Sequence, residues 1–427
     1  MKLEQLHPAD QLVMIMNRIY YCGMTTTSGG NLSIKDENGD IWITPAGIDK
    51  GSLSASDIVQ VKPDGTTLGR HKPSCELPFH QSTYNRRPDI KAVVHAHPPA
   101  LVSFSIVRRV PDTRLIPNTA FISSAVGLAE YDIPGSSDLG DKIASVLKRG
   151  YNRVLLENHG VVVVGRDLSE AFMAFESLDF CARIEINALK IGTPSHPAPE
   201  DVEVGQTRQV NMEEYSLLRN GEDEEIRKEM CAFIGRSYNR MLITSAQGTF
   251  SVRLNEHSFL ITPDEGDRKY LDADDMVRID DGKREAGKIP DRMVLLHKAI
   301  YDKHPYVNSV ITAQPPNMMA FAVTGEAFDS RTIPESYIIL RQIKRLPFGS
   351  CQIKPAMVAD AITKSNPIIL VQNDCLLVTG SSLLNAFDRL EVAEYSAKAL
   401  VVSKGLGELV VMNDEQIMAI EKAFHLD

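Results

Sequence analysis

The chain is written twice. Val93-Val94-His95-Ala96-His97-Pro98-Pro99 returns as Val310-Ile311-Thr312-Ala313-Gln314-Pro315-Pro316, an offset of 217 residues (310 − 93). Arg87-Pro88 matches His304-Pro305 at the same offset, and Trp42-Ile43-Thr44-Pro45 matches Leu260-Ile261-Thr262-Pro263 at 218 (260 − 42). Leu155-Leu156-Glu157-Asn158-His159-Gly160 matches Leu370-Val371-Gln372-Asn373-Asp374-Cys375 at 215 (370 − 155). A period of half the chain means two copies of a whole domain rather than a solenoid of short units. Length agrees, since 427 residues exceed what one core usually serves and divide into two domains of roughly 200 each. Between the copies, Thr193 to Glu200 holds three prolines, which remove backbone donors, and the acidic stretch Gly221 to Glu225 follows. We therefore assign residues 1–200 to a first domain, 201–223 to a linker and 224–427 to a second domain.

Each copy carries one coarse pattern. A helix at Asp10–Cys22 places Leu12, Ile15, Met16 and Ile19 on one face, and Glu225–Arg240 is its partner. Short strands are expected at Gly30–Ile34, Ile41–Thr44 and Ile58–Val61, then a helix at Glu76–Asn85 and an apolar strand at Ala92–Ala96. Strands at Arg153–Leu156 and Val161–Val164 precede a long helix, Leu168–Ile191. Helices interleaved with apolar strands imply an α/β fold, helices layered on a central sheet.

His95 and His97 end a strand, where residues two apart project from one face, so both imidazoles can reach one ion. His159 follows a second apolar strand, with Gly160 permitting a tight turn. Three imidazoles suit zinc or a similar divalent cation and leave positions open for oxygen ligands, the arrangement of a catalytic rather than a structural site. The six cysteines (Cys22, Cys75, Cys181, Cys231, Cys351, Cys375) form no Cys-x-x-Cys pair, so neither a thiolate zinc site nor a disulfide framework is suggested.

The set Ser28-Gly29-Gly30-Asn31-Leu32-Ser33, Thr44-Pro45-Ala46-Gly47, Ser74-Cys75-Glu76, His95-Ala96-His97-Pro98 and Asn158-His159-Gly160 resembles the class II aldolase/adducin family, typified by fuculose-phosphate aldolase. The motifs stand in the family's order, and the gap of 19 residues (95 − 76) from Glu76 to His95 fits its pattern. The resemblance covers nearly all of the first half and, more weakly, the second. It implies two tandem α/β/α layered domains, each with a mixed, largely antiparallel central sheet. It makes His95, His97 and His159 the ligands of a divalent metal, Zn2+ first, with Mn2+, Co2+ or Fe2+ as alternatives. Glu76 becomes the catalytic acid/base, ligating the metal when substrate is absent. The implied activity is that of a lyase making or breaking a C–C bond in a small sugar or sugar phosphate, the enediolate being stabilised by the cation. Dehydratases, decarboxylases and epimerases share the fold and chemistry, though Glu76 argues against the epimerase branch, which has aspartate there. Adducin-like relatives keep the fold without catalysis, as an interaction module.

Asn31, Thr44, Gly47, Ser74 and Cys75 match positions that cradle a substrate phosphate in the family, Cys75 replacing the second of two serines with a weaker donor. Such residues also form turns for purely local reasons. Tyr131, before Pro134-Gly135, matches a protonating tyrosine; a packed tyrosine is the alternative. Glu76 itself could be an ordinary acidic residue at a helix start.

Applying the repeat offsets puts Met293, Thr312, Gln314 and Asp374 where Glu76, His95, His97 and His159 stand. The second copy is expected to lack a metal while its strands stay apolar. In the family the site lies near a subunit interface of a cyclic tetramer, so a homodimer of two-domain chains forming a pseudo-tetramer is expected. A net charge of −10 argues against nucleic acid as a partner, and no apolar run reaches the roughly 18 residues of a membrane span. With no basic-then-apolar leader at Met1 to Pro8, the protein is expected to be cytoplasmic.

Overall fold

The structure is a computed structural model that describes residues 3–117, 125–199, 202, 210–216, 221 and 223–426. The chain divides into two compact units, Met1–Arg114 with Thr119–Ala182, and Leu115–Asn118 with Arg183–Asp427. Most of the linker assigned to 201–223 lies outside the described residues; its described part belongs to the second unit. Among the described residues no helix is long and apolar enough to cross a membrane.

The first unit is built on an eight-stranded sheet. Its strands are β1 (Asn31–Lys35), β2 (Ile41–Ile43), β3 (Val59–Val61), β4 (Thr67–Leu68), β5 (Ala92–Ala96), β6 (Val126–Ala129), β7 (Arg153–Leu156) and β8 (Val161–Gly165), in the order β4-β3-β2-β1-β5-β8-β7-β6. Every neighbouring pair is antiparallel except β6–β7. Its helices are α1 (Pro8–Tyr21), α2 (Leu77–Arg86), α3 (Pro99–Ile106), α4 (Ser137–Lys148) and α5 (Leu168–Ile191). Helix α1 starts with a proline, whose missing N–H is no loss there, and buries Leu12, Ile15, Met16 and Ile19. Central strands β5, β7 and β8 are buried at every position, which explains their continuous apolar runs. Helix α5 passes from one unit into the other at Ala182–Arg183, and its last turns put Ile184, Ala188 and Ile191 into the second unit's core.

The second unit repeats this plan. Its strands are β9 (Glu214–Tyr215), β10 (Thr249–Arg253), β11 (Ser258–Ile261), β12 (Val277–Asp280), β13 (Lys283–Glu285), β14 (Ser309–Ala313), β15 (Lys344–Leu346), β16 (Ile368–Val371) and β17 (Cys375–Gly380). Their order, β15-β16-β17-β14-β10-β11-β12-β13-β9, is the first sheet read from its other edge with β9 added. The one parallel pair of the first sheet recurs as β15–β16, and the added β9 runs parallel to β13. Even an isolated bridge outside the strands, Pro45 with Pro73, recurs as Pro263 with Pro290. The protein is thus a tandem pair of α/β domains with mixed, mostly antiparallel sheets, as the repeat in the sequence implies.

Candidate metal centre

The register of three strands assembles the site. Asn31 opens β1 directly opposite His95 near the end of β5, and His95 lies opposite Val162 of β8. The turn from β7 to β8 delivers His159, with Asn158 in the left-handed conformation that asparagine tolerates better than most residues (φ +55°). One nitrogen from each of His95, His97 and His159 lies within 4.8 Å of the others. His95 is fully buried, and its Nδ1–H donates to the carbonyl of Val161 at 3.0 Å, so its Nε2 lone pair faces inward. That atom stands 3.1 Å from His97 Nε2 and 3.2 Å from Glu76 Oε2, while His159 Nε2 is 3.8 Å from Glu76 Oε1.

Glycines make room for this packing. A β-carbon on Gly160 would lie 2.5 Å from His97 Cδ2, and one on Gly29 would lie 2.8 Å from His97 Nδ1. Gly30, at φ +72°, lies so near the backbone that its β-carbon would meet the His95 carbonyl at 2.7 Å. Gly160→Ala is therefore expected to displace His97 and weaken cation binding about a hundredfold, since small misplacements in such sites carry penalties of that order. Isothermal titration with Zn2+ checks this; unchanged affinity would show that His97 is not held by this contact. In the second copy the corresponding residue is Cys375, and Gln314 stands in place of His97.

Electrostatics suit a cation. Burial, with His95 and His159 as neighbours, pushes His97 down to about 3. Burial and His95 push His159 down to about 4, so both rings are neutral with lone pairs available. Burial disfavours charge on His95 too, but the Glu76 carboxylate outweighs it and holds that imidazole above its ordinary value. Burial would raise Glu76, yet His95, Asn31 and His159 together hold it well below the usual carboxylate range. Oε1 of Glu76 and Nδ1 of His159 are buried without a hydrogen-bond partner among the described residues. Inward-facing lone pairs beside an ionised carboxylate and an orphaned oxygen are chemistry that a divalent cation satisfies, so these residues fit one.

Behind Glu76 runs a chain of hydrogen bonds that the sequence reading does not contain. Asn31 Nδ2–H donates to Glu76 Oε2 at 2.7 Å, and Asn31 Oδ1 meets His80 Nε2 at 2.5 Å. His80 Nδ1 meets Ser33 Oγ at 2.6 Å, which in turn meets the Tyr84 hydroxyl at 2.7 Å. Burial pushes His80 down to about 3, so the ring is neutral. Its Nε2–H then donates to Asn31, and its Nδ1 accepts from Ser33. Only the spacing of His80 and Tyr84, four apart on α2, hints at this in the sequence.

The other expected site residues are placed as follows. Thr44 is buried and accepts the Leu32 N–H at 3.2 Å; Ser74 is buried and accepts the Glu76 N–H at 3.3 Å. Gly47 sits in a turn at φ +69° with open space where a side chain would be, and Cys75 is exposed. Lys50, unremarked in the sequence, is buried and ties that turn together through the carbonyls of Pro45 (2.7 Å) and Ile48 (3.3 Å). Tyr131 is 52% exposed and is fastened by its backbone, its N–H to Glu157 at 3.2 Å and its carbonyl to Lys142 at 2.7 Å. The Asn31 amide is committed to Glu76 and His80 rather than lying free for a phosphate.

Comparison with known proteins identifies the family. The family described as "Class II Aldolase and Adducin N-terminal domain" matches twice, over residues 10–186 and 228–401. A 3-oxo-tetronate 4-phosphate decarboxylase of Haemophilus influenzae is 31% identical over 186 residues, 43% of this chain and 88% of that protein. A 5-deoxy-D-ribulose 1-phosphate aldolase of Bacillus thuringiensis is 33% identical over 196 residues, 45% of this chain and 90% of that protein. An L-fuculose phosphate aldolase of Methanocaldococcus jannaschii is 31% identical over 176 residues, 41% of this chain and 94% of that protein. Among solved structures, YgbL of Escherichia coli, titled a putative aldolase/epimerase/decarboxylase, aligns at 28% identity with a TM-score of 0.42, covering 46% of this chain and 95% of that one. With the family matched over most of its length, once in each sheet, this chain belongs to the class II aldolase and adducin family.

Proposed function

We propose that the first copy is a divalent-metal-dependent lyase that cleaves or forms a C–C bond in a small phosphorylated sugar. The observation that carries this reading is the convergence of three imidazole nitrogens on the Glu76 carboxylate, with one of its oxygens unpartnered. His95, His97 and His159 would hold the cation, Zn2+ by preference, which when bound supplies Lewis-acid withdrawal of electrons from a substrate carbonyl. The chain's own part is proton transfer. Cleavage of a ketose needs a proton taken from the hydroxyl beyond the scissile bond and one returned to the carbon left behind. Glu76 Oε1 is free for that exchange because Asn31 restrains the other oxygen. Thr44, Gly47, Ser74 and Cys75 form the proposed phosphate cradle, Thr44 and Ser74 chiefly by shaping its backbone, while Asn31 serves Glu76; Tyr131 is the proposed second proton donor.

A decarboxylase reading has its own support in relatives named 3-oxo-tetronate 4-phosphate decarboxylase, among them those at 31%, 33% and 32% identity. Both readings share the cation and Glu76 and differ in whether carbon dioxide or an aldehyde departs. Assays with L-fuculose 1-phosphate, 5-deoxy-D-ribulose 1-phosphate and 3-oxo-tetronate 4-phosphate, scored for aldehyde and for carbon dioxide with and without EDTA, separate them. EDTA-insensitive turnover would sink both.

His80 acts as a positioning residue in this reading. His80→Ala is expected to lower kcat by about 10- to 100-fold with metal content intact, since Asn31 then no longer steers Glu76. The second copy provides a control: Ser251 bonds His297 and Tyr301 at 2.7 Å each, but His297 Nε2 has no partner among the described residues. His297→Ala should reduce thermal stability and leave kcat alone. Equal kcat for both variants would remove the positioning role.

A further inference from the structure

The second copy has lost its imidazoles, yet donors of another kind gather where His159 would stand. Asp374 occupies the turn between β16 and β17, Cys375 opens β17, and Cys351 arrives from the short helix Ser350–Ile353. The two sulfurs and a carboxylate oxygen of Asp374 lie within 4.8 Å of one another. Their exposures are 2% for Cys351 and zero for both Asp374 and Cys375. Gln352 donates its amide N–H to Asp374 Oδ2 at 3.2 Å, while its Oε1 is buried and accepts no hydrogen bond among the described residues. We propose that the second copy binds its own borderline-soft divalent cation of the zinc class through Cys351 Sγ, Cys375 Sγ and the Asp374 carboxylate, with Gln352 Oε1 available beside them.

Packed core thiols are the ordinary explanation for buried cysteines. They do not account for an orphaned amide oxygen beside two sulfurs and a carboxylate gathered within 4.8 Å. Charge also favours uptake. The neighbouring Cys351 sulfur, and then burial, push the Cys375 thiol well up. Asp374 then has Arg292, 4.0 Å away, to offset it. Binding M2+ forms two metal–sulfur bonds and releases two protons to solvent. The cation's two positive charges replace those two protons, so the net charge of the buried group, Arg292 included, is unchanged. A site of two thiolates and a carboxylate is closed and sulfur-rich, suited to a structural ion, whereas three neutral imidazoles leave room for substrate oxygens. The sequence hides this site because Cys351 and Cys375 are far apart with no ligand-type spacing.

Cobalt titration of the full-length chain, stripped of metal under reducing conditions, tests the proposal, because cobalt–thiolate bonds absorb strongly in the near ultraviolet and cobalt–imidazole bonds do not. The wild-type chain is expected to take up two Co2+ and develop the thiolate band. A chain with H95A and H97A should bind one and keep the band; a chain with C351S and C375S should bind one and lack it. Uptake by the wild-type chain without a thiolate band overturns the proposal, as does a band that survives C351S with C375S. The histidine variant scores the first site separately, so failure here leaves the proposed lyase untouched, and the wild-type band needs no variant to fold.

Discussion

Replacing His95 and His97 together by alanine is expected to remove the first copy's cation and lower C–C cleavage by about a thousandfold or more. Lewis-acid stabilisation of developing charge contributes several kcal/mol, and about 4 kcal/mol corresponds to about three orders of magnitude in rate. The two positions differ in what else they do. The His95 ring is fully buried and satisfies the Val161 carbonyl, so its removal also strands an acceptor, at a cost of about 1–3 kcal/mol of stability. His97 is partly exposed, and its Nε2 meets His95. His97→Ala alone should therefore lose metal and activity with little change in melting temperature, while His95→Ala should lose all three. Metal analysis by mass spectrometry, kcat on the best substrate and thermal melts check the set. Turnover within tenfold of wild type in the double variant would mean that the three imidazoles are not the catalytic centre.

The parts of this centre legible in the sequence are those whose geometry is local. Two histidines separated by one residue must share a face of a strand, and His159 with its glycine announces a turn. The repeat needed only that motifs recur at nearly one offset, whereas the strand order that both sheets share is visible only in the structure. What stayed hidden depends on register between distant strands. The family pattern places Asn31 in a phosphate cradle, whereas the pairing of β1 with β5 sets its amide between Glu76 and His80. Ser33, His80 and Tyr84 lie on a strand and a helix that no short motif connects. Helix α3 lies outside the elements read from the sequence because its run from Pro99 to Ile106 is apolar on nearly every side and shows no helical stripe. The same holds for Gly29 and Gly160, whose purpose is visible only when His97 is seen to occupy the space a β-carbon would need.

Glu76→Gln separates the cation's contribution from proton transfer. Glutamine has the same shape, so its carbonyl oxygen can still accept from Asn31, but its amide cannot take a proton at neutral pH. The three imidazoles are untouched by this change, so metal binding should persist. The expected result is one cation retained in the first copy and kcat lowered about 10²- to 10⁴-fold, the range for loss of a positioned acid/base. KM should change little, because the carboxylate is assigned to the reacting proton rather than to substrate binding. A partial reaction sharpens the test: the ketose-derived product fragment, incubated with enzyme in D2O, exchanges the proton that Glu76 would return. In the glutamine variant that exchange should fall in parallel with cleavage. If cleavage falls while exchange continues at the wild-type rate, another group moves the proton and Glu76 serves the metal alone. The same comparison made with His80→Ala should show a smaller, parallel loss in both rates, because that variant leaves the carboxylate present but poorly aimed.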